Sequence, residues 1–227
     1  MTKRPAAQPG TAAPVKKAKA TRTRTNAASG PAQAPVAPAK LAELRRRQIL
    51  DAAEECFRRH GFHSASMSEI AKSFGMSAGH IYNYFDSKEA IIAGIVERDL
   101  EEFMKRAAQL QRADDMQAAL LERVADGVAE QLNPCRAARQ FEVLAEAGRN
   151  PEVLAMVQEV DAKVRSVLRE IFRKTQSDGH SGRDLDGKVA VLMALFDGLM
   201  VRGLRQNDVP RPQVTRVLRG VIGEMMR

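Results

Sequence analysis

Ser66-Met67-Ser68-Glu69-Ile70-Ala71-Lys72-Ser73-Phe74-Gly75-Met76-Ser77-Ala78-Gly79-His80-Ile81-Tyr82-Asn83-Tyr84-Phe85-Asp86-Ser87-Lys88 is the stretch whose reading decides the fold. Ser66 and Glu69 make a Ser-x-x-Glu capping box, the start signal of a helix. Met67, Ile70, Ala71 and Phe74 then fall at i, i+3, i+4 and i+7, one apolar face. Gly75 supplies the left-handed residue that stops this helix. After Met76 the chain restarts with Ser77 as a new N-cap. Two short helices joined by a tight turn follow, a helix-turn-helix.

In the second helix Ala78, Ile81, Tyr82 and Phe85 repeat the spacing and turn one face to the core. Gly79, His80, Asn83 and Tyr84 face the other way. Flat and hydrogen-bonding side chains without long aliphatic ones suit the floor of a major groove, where Asn makes a bidentate pair with adenine. Gly79 permits close approach. Ser77, beside free backbone N–H groups, and Lys88 at the far end are placed to hold phosphates. A small helical hairpin with an ordinary solvated face satisfies the same composition.

From about Arg46 to Ile92 the chain also resembles the TetR/AcrR family of bacterial transcriptional regulators. The matching residues are Ile49-Leu50-Asp51-Ala52-Ala53, Phe57-x-x-x-Gly61-Phe62, Met67-x-x-Ile70-Ala71, Gly75-Met76-Ser77-x-Gly79-x-Ile81-Tyr82-x-Tyr84-Phe85 and Ser87-Lys88-Glu89. The resemblance implies that Ser77 to Phe85 is the recognition helix and that Ser77, Tyr82, Tyr84 and Lys88 touch backbone phosphates. It gives Tyr82, which periodicity sets at the edge of the core, a phosphate contact through its hydroxyl. Tyr84 departs from the family pattern, since many members carry His there. The expected DNA-facing set is Arg46, Ser66, Ser77, Ala78, Gly79, His80, Tyr82, Asn83, Tyr84 and Lys88.

Composition sets the frame around this motif. The 227 residues allow one large or two small domains with a substantial core. The longest apolar stretch, Val189 to Val201, is interrupted by Asp197 and Gly198, so no membrane span is expected. Two lone cysteines make no disulfide framework and the amino terminus has no signal-peptide core, which points to a reducing bacterial cytoplasm. Residues 1–40 hold eight Lys or Arg, six of the ten prolines and no acidic residue, while the chain carries a net charge of +8. The remainder therefore sums to zero. Residues 1–40 read as a disordered basic arm, too poor in large apolar side chains to offset the entropy of ordering. Its Lys16-Lys17-Ala18-Lys19 and Arg22-Thr23-Arg24 are placed to add salt-sensitive DNA affinity, and a solubilising tail is equally compatible.

Residues 41–87 read as the DNA-binding domain and 88–227 as a helical effector-binding and dimerisation domain, nine helices in an all-α fold. The first runs from about Leu41 to His60, with Ile49, Ala52, Ala53, Cys56 and Phe57 on its buried stripe. Arg45, Arg46 and Arg47 lie near its start and are candidates for phosphate contact or a solvated basic face. His60 and His63 are separated by the helix break at Gly61 and have no further ligands beside them, so no metal site is expected. Further helices are expected at about 88–112, 115–132, 135–148, 151–175, 184–206 and 212–226. Asn133-Pro134, Gly148 to Pro151, Ser177 to Gly182 and Val209 to Pro212 supply the turns between them.

The last two helices carry Val189, Leu192, Met193, Phe196 and Met200 on one stripe and Val214, Val217, Leu218, Val221, Ile222 and Met225 on another. With Gly198, Gly203, Gly220 and Gly223 lowering helix propensity there, a close-packed two-fold dimer is expected, with intramolecular core as the other reading. The family resemblance implies the same pairing through a four-helix bundle. It also implies a small-molecule cavity in the body, for which Phe103, Met104, Phe141, Met156, Met193 and Phe196 are candidate lining. The function expected is a homodimeric repressor released from a near-palindromic double-stranded operator by an apolar or amphipathic effector. A sequence-blind architectural protein working through its basic arm is the alternative. No catalytic motif and no cofactor signal occurs. A redox switch at Cys56 or Cys135 is disfavoured, because Cys56 lies on the buried stripe and only Arg136 and Arg139 lie near Cys135.

Overall fold

The computed structural model describes residues 38–175 and 184–227. The basic arm, up to residue 37, and the expected loop at 177–182 lie outside the described residues. Among those residues the fold is all-α, as nine helices. They are α1 (Pro38–His60), α2 (Met67–Ser73), α3 (Ala78–Ile81), α4 (Lys88–Leu110), α5 (Met116–Gln131), α6 (Pro134–Ala147), α7 (Pro151–Thr175), α8 (Leu185–Arg205) and α9 (Arg211–Met225). α1 starts at Pro38 rather than Leu41, because proline is tolerated in a first turn, whose N–H groups have no intrahelical acceptor.

Local chemistry sets the breaks. Gly61 and Gly75 take φ of 74° and 70°, left-handed conformations that stop α1 and α2. Asp115 caps α5 by accepting from Ala118 N at 2.8 Å, and Asn133 caps α6 by accepting from Cys135 N at 2.9 Å, with Pro134 behind it at N1.

One apolar cluster joins Ile49, Ala53, Phe57 of α1, Ile70 of α2, Ile81 of α3 and Phe85 to Ile91, Ile92 and Ile95 of α4, and reaches Val143 and Ala147 of α6 and Val153 of α7. The core of the segment formed by α1 to α3, the reading head of the expected DNA-binding domain, therefore does not end at residue 87. It continues into the body, so a movement of α4, α6 or α7 is felt by α1 to α3 through direct packing. A second cluster holds α5, α7, α8 and α9 together through Val128, Phe172, Val189, Leu192, Leu218 and Ile222.

Candidate nucleic-acid interface

The capping box at α2 forms as the sequence dictates. Ser66 Oγ accepts from Glu69 N at 3.2 Å and donates to Glu69 Oε2 at 2.9 Å, and the carboxylate also accepts from Ser66 N at 2.8 Å. These bonds hold the Glu69 carboxyl below the usual carboxylate range, the Ser66 backbone bond most of all. The Ser66 hydroxyl is thereby committed to the helix start.

α3 is shorter than the expected Ser77 to Phe85. Regular α-helix covers Ala78–Ile81, and the chain continues as a turn with Asn83 N bonded to His80 O and Tyr84 N to Ile81 O. Ile, Tyr, Asn, Tyr and Phe in succession have poor helix propensity, and the tighter i to i+3 bonds suit the last turn. Ser77 occupies the N-cap with extended backbone but its hydroxyl makes no cap bond. That hydroxyl remains available to an outside acceptor or donor.

Ile81 and Phe85 are buried as the spacing required, whereas Tyr82 is 50% exposed instead of lying against the core. The shortened helix turns Tyr82 outward and Tyr84 inward, the reverse of what periodicity predicts. Tyr84 is half-buried against the head core, its ring 5.9 Å from that of His80. Gly79, His80 and Asn83 are exposed, and Ala78 is half-buried. A Cβ added at Gly79 would meet no atom within 4 Å, so the glycine leaves an open notch on the outer surface.

Two expected phosphate binders are engaged inside the protein. The Arg46 guanidinium stacks over the Phe85 ring, donates to Tyr84 O at 3.4 Å and lies 3.8 Å from Glu97 of α4. Lys88 donates from Nζ to Phe62 O at 2.9 Å and to His63 O at 3.2 Å, over the Phe62 ring. Arg46 thus ties α1 to the chain after α3 and to α4, and Lys88 ties the start of α4 to the α1–α2 connection. The outward set is thus Ser77, Gly79, His80, Tyr82 and Asn83.

Below the head lies a cavity of about 900 Å³ between α4, α5, α6, α7 and α8. Phe103, Phe141, Met193 and Phe196 line it. Met104 instead points to solvent, 43% exposed, one residue off the inward stripe of α4, and Met156 packs against the head core. The wall is not wholly apolar. Arg106 donates to Glu130 at 3.0 Å and Arg136 lies 3.8 Å from the same carboxylate. Asp197 is exposed on one side, and its partly covered position, with the Asp161 carboxylate, pushes its carboxyl up. Periodicity finds the aromatic wall but not these charges, which sit between apolar positions where the sequence alone reads them as solvated.

Two family profiles match this chain. Residues 49–95 match bacterial regulatory proteins of the tetR family, and residues 112–226 match the C-terminal part of BetI-type transcriptional repressors. The chain belongs to the TetR family of transcriptional regulators. It is 30% identical to the HTH-type transcriptional regulator UidR of Escherichia coli K12 over 188 residues, covering 82% of this chain and 94% of UidR. The structure of Salmonella enterica GusR superposes with a TM-score of 0.65 at 28% identity, over 80% of this chain and 94% of GusR. The fatty acid degradation regulator FadR from Bacillus halodurans shares the fold, with a TM-score of 0.66 at 21% identity over 78% of this chain and 93% of FadR. As a TetR-family regulator the chain binds DNA through the helix-turn-helix of α2 and α3. No helix of the described residues is long and apolar enough to cross a membrane.

Proposed function

We propose that this TetR-family chain is a homodimeric repressor that reads a near-palindromic operator and leaves it when an amphipathic small molecule fills the cavity. The observation that carries the reading is the outer face of α3. Ser77, His80, Tyr82 and Asn83 stand on the outer surface with no side-chain bond among the described residues, on a backbone held from behind by Ile81 and Phe85. Asn83 and His80 then read base edges, Gly79 lets the helix approach, and Ser77 and Tyr82 hold phosphates. Reading belongs to residues 41–87, effector binding and dimerisation to residues 88–227.

One head binds weakly, and α8 and α9 supply the pairing surface. The stripes singled out by periodicity are mostly internal, since Val189, Leu192, Met200, Leu218 and Ile222 are buried within one chain. The α9 stripe is split, however, since Val217 at 62% and Val221 at 37% exposure turn outward, and Val191 at 50% and Leu195 at 36% of α8 lie off its stripe and are exposed too. Gly198 and Gly220 lie among these residues, and a Cβ at either would meet nothing within 4 Å in the same chain. An apolar face with glycine notches on two adjacent helices suits an isologous four-helix contact. It would set two α3 elements roughly 34–36 Å apart on successive major grooves.

Repression rather than activation accords with the BetI-type repressor match over residues 112–226. An effector with an apolar body and a polar end fits aromatic walls interrupted by the Arg106–Glu130 pair. The test is selection of duplexes from a random pool by the full-length protein, with its mass in solution measured alongside. A dimer enriching one near-palindrome supports the reading; a monomer, or a pool that stays random, overturns it.

A further inference from the structure

Arg139 of α6 stands between two carboxylates with different neighbourhoods. It donates from one terminal nitrogen to Glu54 Oε2 of α1 at 2.9 Å and from the other to Asp99 Oδ2 of α4 at 2.8 Å. All three side chains are about four-fifths covered, with exposures of 18%, 19% and 21%. The second oxygen of Glu54 is held by Arg98, which also reaches Asp51 Oδ1 of α1 at 2.8 Å. Arg139 Nε is buried with no hydrogen-bond partner among the described residues. Its whole hydrogen-bonding reach is thus divided between these two acids. Burial works against the guanidinium charge, and the two carboxylates together outweigh it.

The two acids face different things. Glu54 is on α1, whose Ile49, Leu50, Ala53 and Phe57 form the floor of the reading head. Asp99 lines the cavity beside Val96, Leu100 and Phe103 on the same face of α4. A second tie runs from α6 to the head, since Glu142 Oε2 accepts from Phe62 N at 2.8 Å in the connection before α2. No other cation among the described residues joins α1, α4 and α6 through its ion pairs.

We infer that Arg139 is the latch through which the state of the cavity reaches the reading head, with Asp99 as its sensing arm and Glu54 as its output arm. The inference rests on the effector reading above and specifies its regulation. A ligand donating a hydrogen bond to Asp99 competes with Arg139 for that carboxylate. A partly buried guanidinium that loses one of two acids is under-compensated and must shift toward the other or toward water. Either shift moves α6 relative to α1, and the Glu142–Phe62 bond carries the displacement to the start of α2. The effector this favours carries hydrogen-bond donors at its polar end.

The test needs no effector. Asp99→Asn removes the charge on the cavity wall, Arg139→Met removes the latch, and Arg139→Lys keeps a charge that lacks the planar fork needed to hold both acids. Each variant, and Asp99→Asn combined with Arg139→Met, is read in the full-length protein by affinity for the duplex selected by the wild type. Amide hydrogen exchange over residues 67–85 of the free protein and the thermal midpoint are measured beside it. The latch predicts that Asp99→Asn alone shifts DNA affinity by about two- to thirtyfold and alters exchange in residues 67–85. It predicts the same from Arg139→Lys, and no further change when Asp99→Asn is added to Arg139→Met. Additive effects, or an Asp99→Asn change confined to the thermal midpoint, would overturn it. If the wild type selects no duplex, the repressor reading fails, while the exchange experiment still decides the latch. Should Arg139→Met not fold, the cycle is completed with the uncharged Arg139→Gln.

Discussion

The Arg46 guanidinium lies 4.4 Å from the centre of the Phe85 ring, so a residue more than two turns into α1 clamps the chain that leaves α3. Arg46→Met keeps the apolar stem and loses the cation. We expect a stability loss of about 1 kcal/mol and a modest, sequence-independent loss of DNA affinity. The decisive reading is the salt dependence. A lost phosphate contact lowers the slope of log affinity against log salt by about 0.9, whereas a lost clamp leaves it unchanged. An unchanged slope is predicted for Arg46→Met.

Lys88 gives the same contrast at the other end of the motif. Its ammonium caps the carbonyls of Phe62 and His63, so Lys88→Met strands the part-buried Phe62 acceptor and leaves the exposed His63 carbonyl to water. A cost of about 1–3 kcal/mol is expected, read as a drop of several degrees in the thermal midpoint. A variant with wild-type stability and a lower salt slope would return Lys88 to the phosphate-binding set.

Glycines separate the internal packing from the proposed dimer face. A Cβ at Gly94 would lie 3.0 Å from both Leu50 Cδ2 and Phe85 Cε1. Gly94→Ala should therefore destabilise the chain by about 1–3 kcal/mol, less the gain in helix propensity, and loosen the seat of α3. Gly198→Leu and Gly220→Leu meet open space within one chain. They should leave the fold intact and weaken self-association by about tenfold or more, measured by analytical ultracentrifugation at decreasing concentration. Dimers as tight as the wild type in both variants would move the interface elsewhere.

Asp197 gives a pH signature. Its folded-state pKa is raised, so between the unfolded and folded values the folded chain binds more protons and stability falls as pH rises. Asp197→Asn should raise the thermal midpoint at neutral pH. That gain should shrink as pH drops below the unfolded carboxylate value of about 3.9, where both states are protonated. A gain independent of pH would mean that packing, not charge, is the cause.

How far the sequence reaches can be judged residue by residue. The capping box, the left-handed glycines, the helix order and the inward positions Ile70, Ile81 and Phe85 are all legible, because each depends on neighbours within one or two turns. Tyr82 and Tyr84 exchange roles because a shortened helix alters the angle per residue at its end, which a fixed period does not register. Arg46 and Lys88 read as phosphate binders because a basic residue beside a recognition element has two uses. The internal contacts of the two, with the Phe85 ring and the Phe62 carbonyl, depend on residues 39 and 26 positions away and leave no local pattern. The Glu54–Arg139–Asp99 cluster joins residues 40 and 85 positions apart, a relationship no local pattern carries.

Sequence reading by the outer face of α3 is the claim on which the rest depends. Its most direct measurement is binding of the full-length protein to labelled DNA from upstream of its own gene, against a scrambled duplex, across a salt series, with Asn83→Ala in parallel. The predicted result is saturable preference for one near-palindrome, weakened in Asn83→Ala by about 1–3 kcal/mol with the salt slope unchanged. Equal binding to both duplexes, indifferent to Asn83 and abolished by salt, would contradict it.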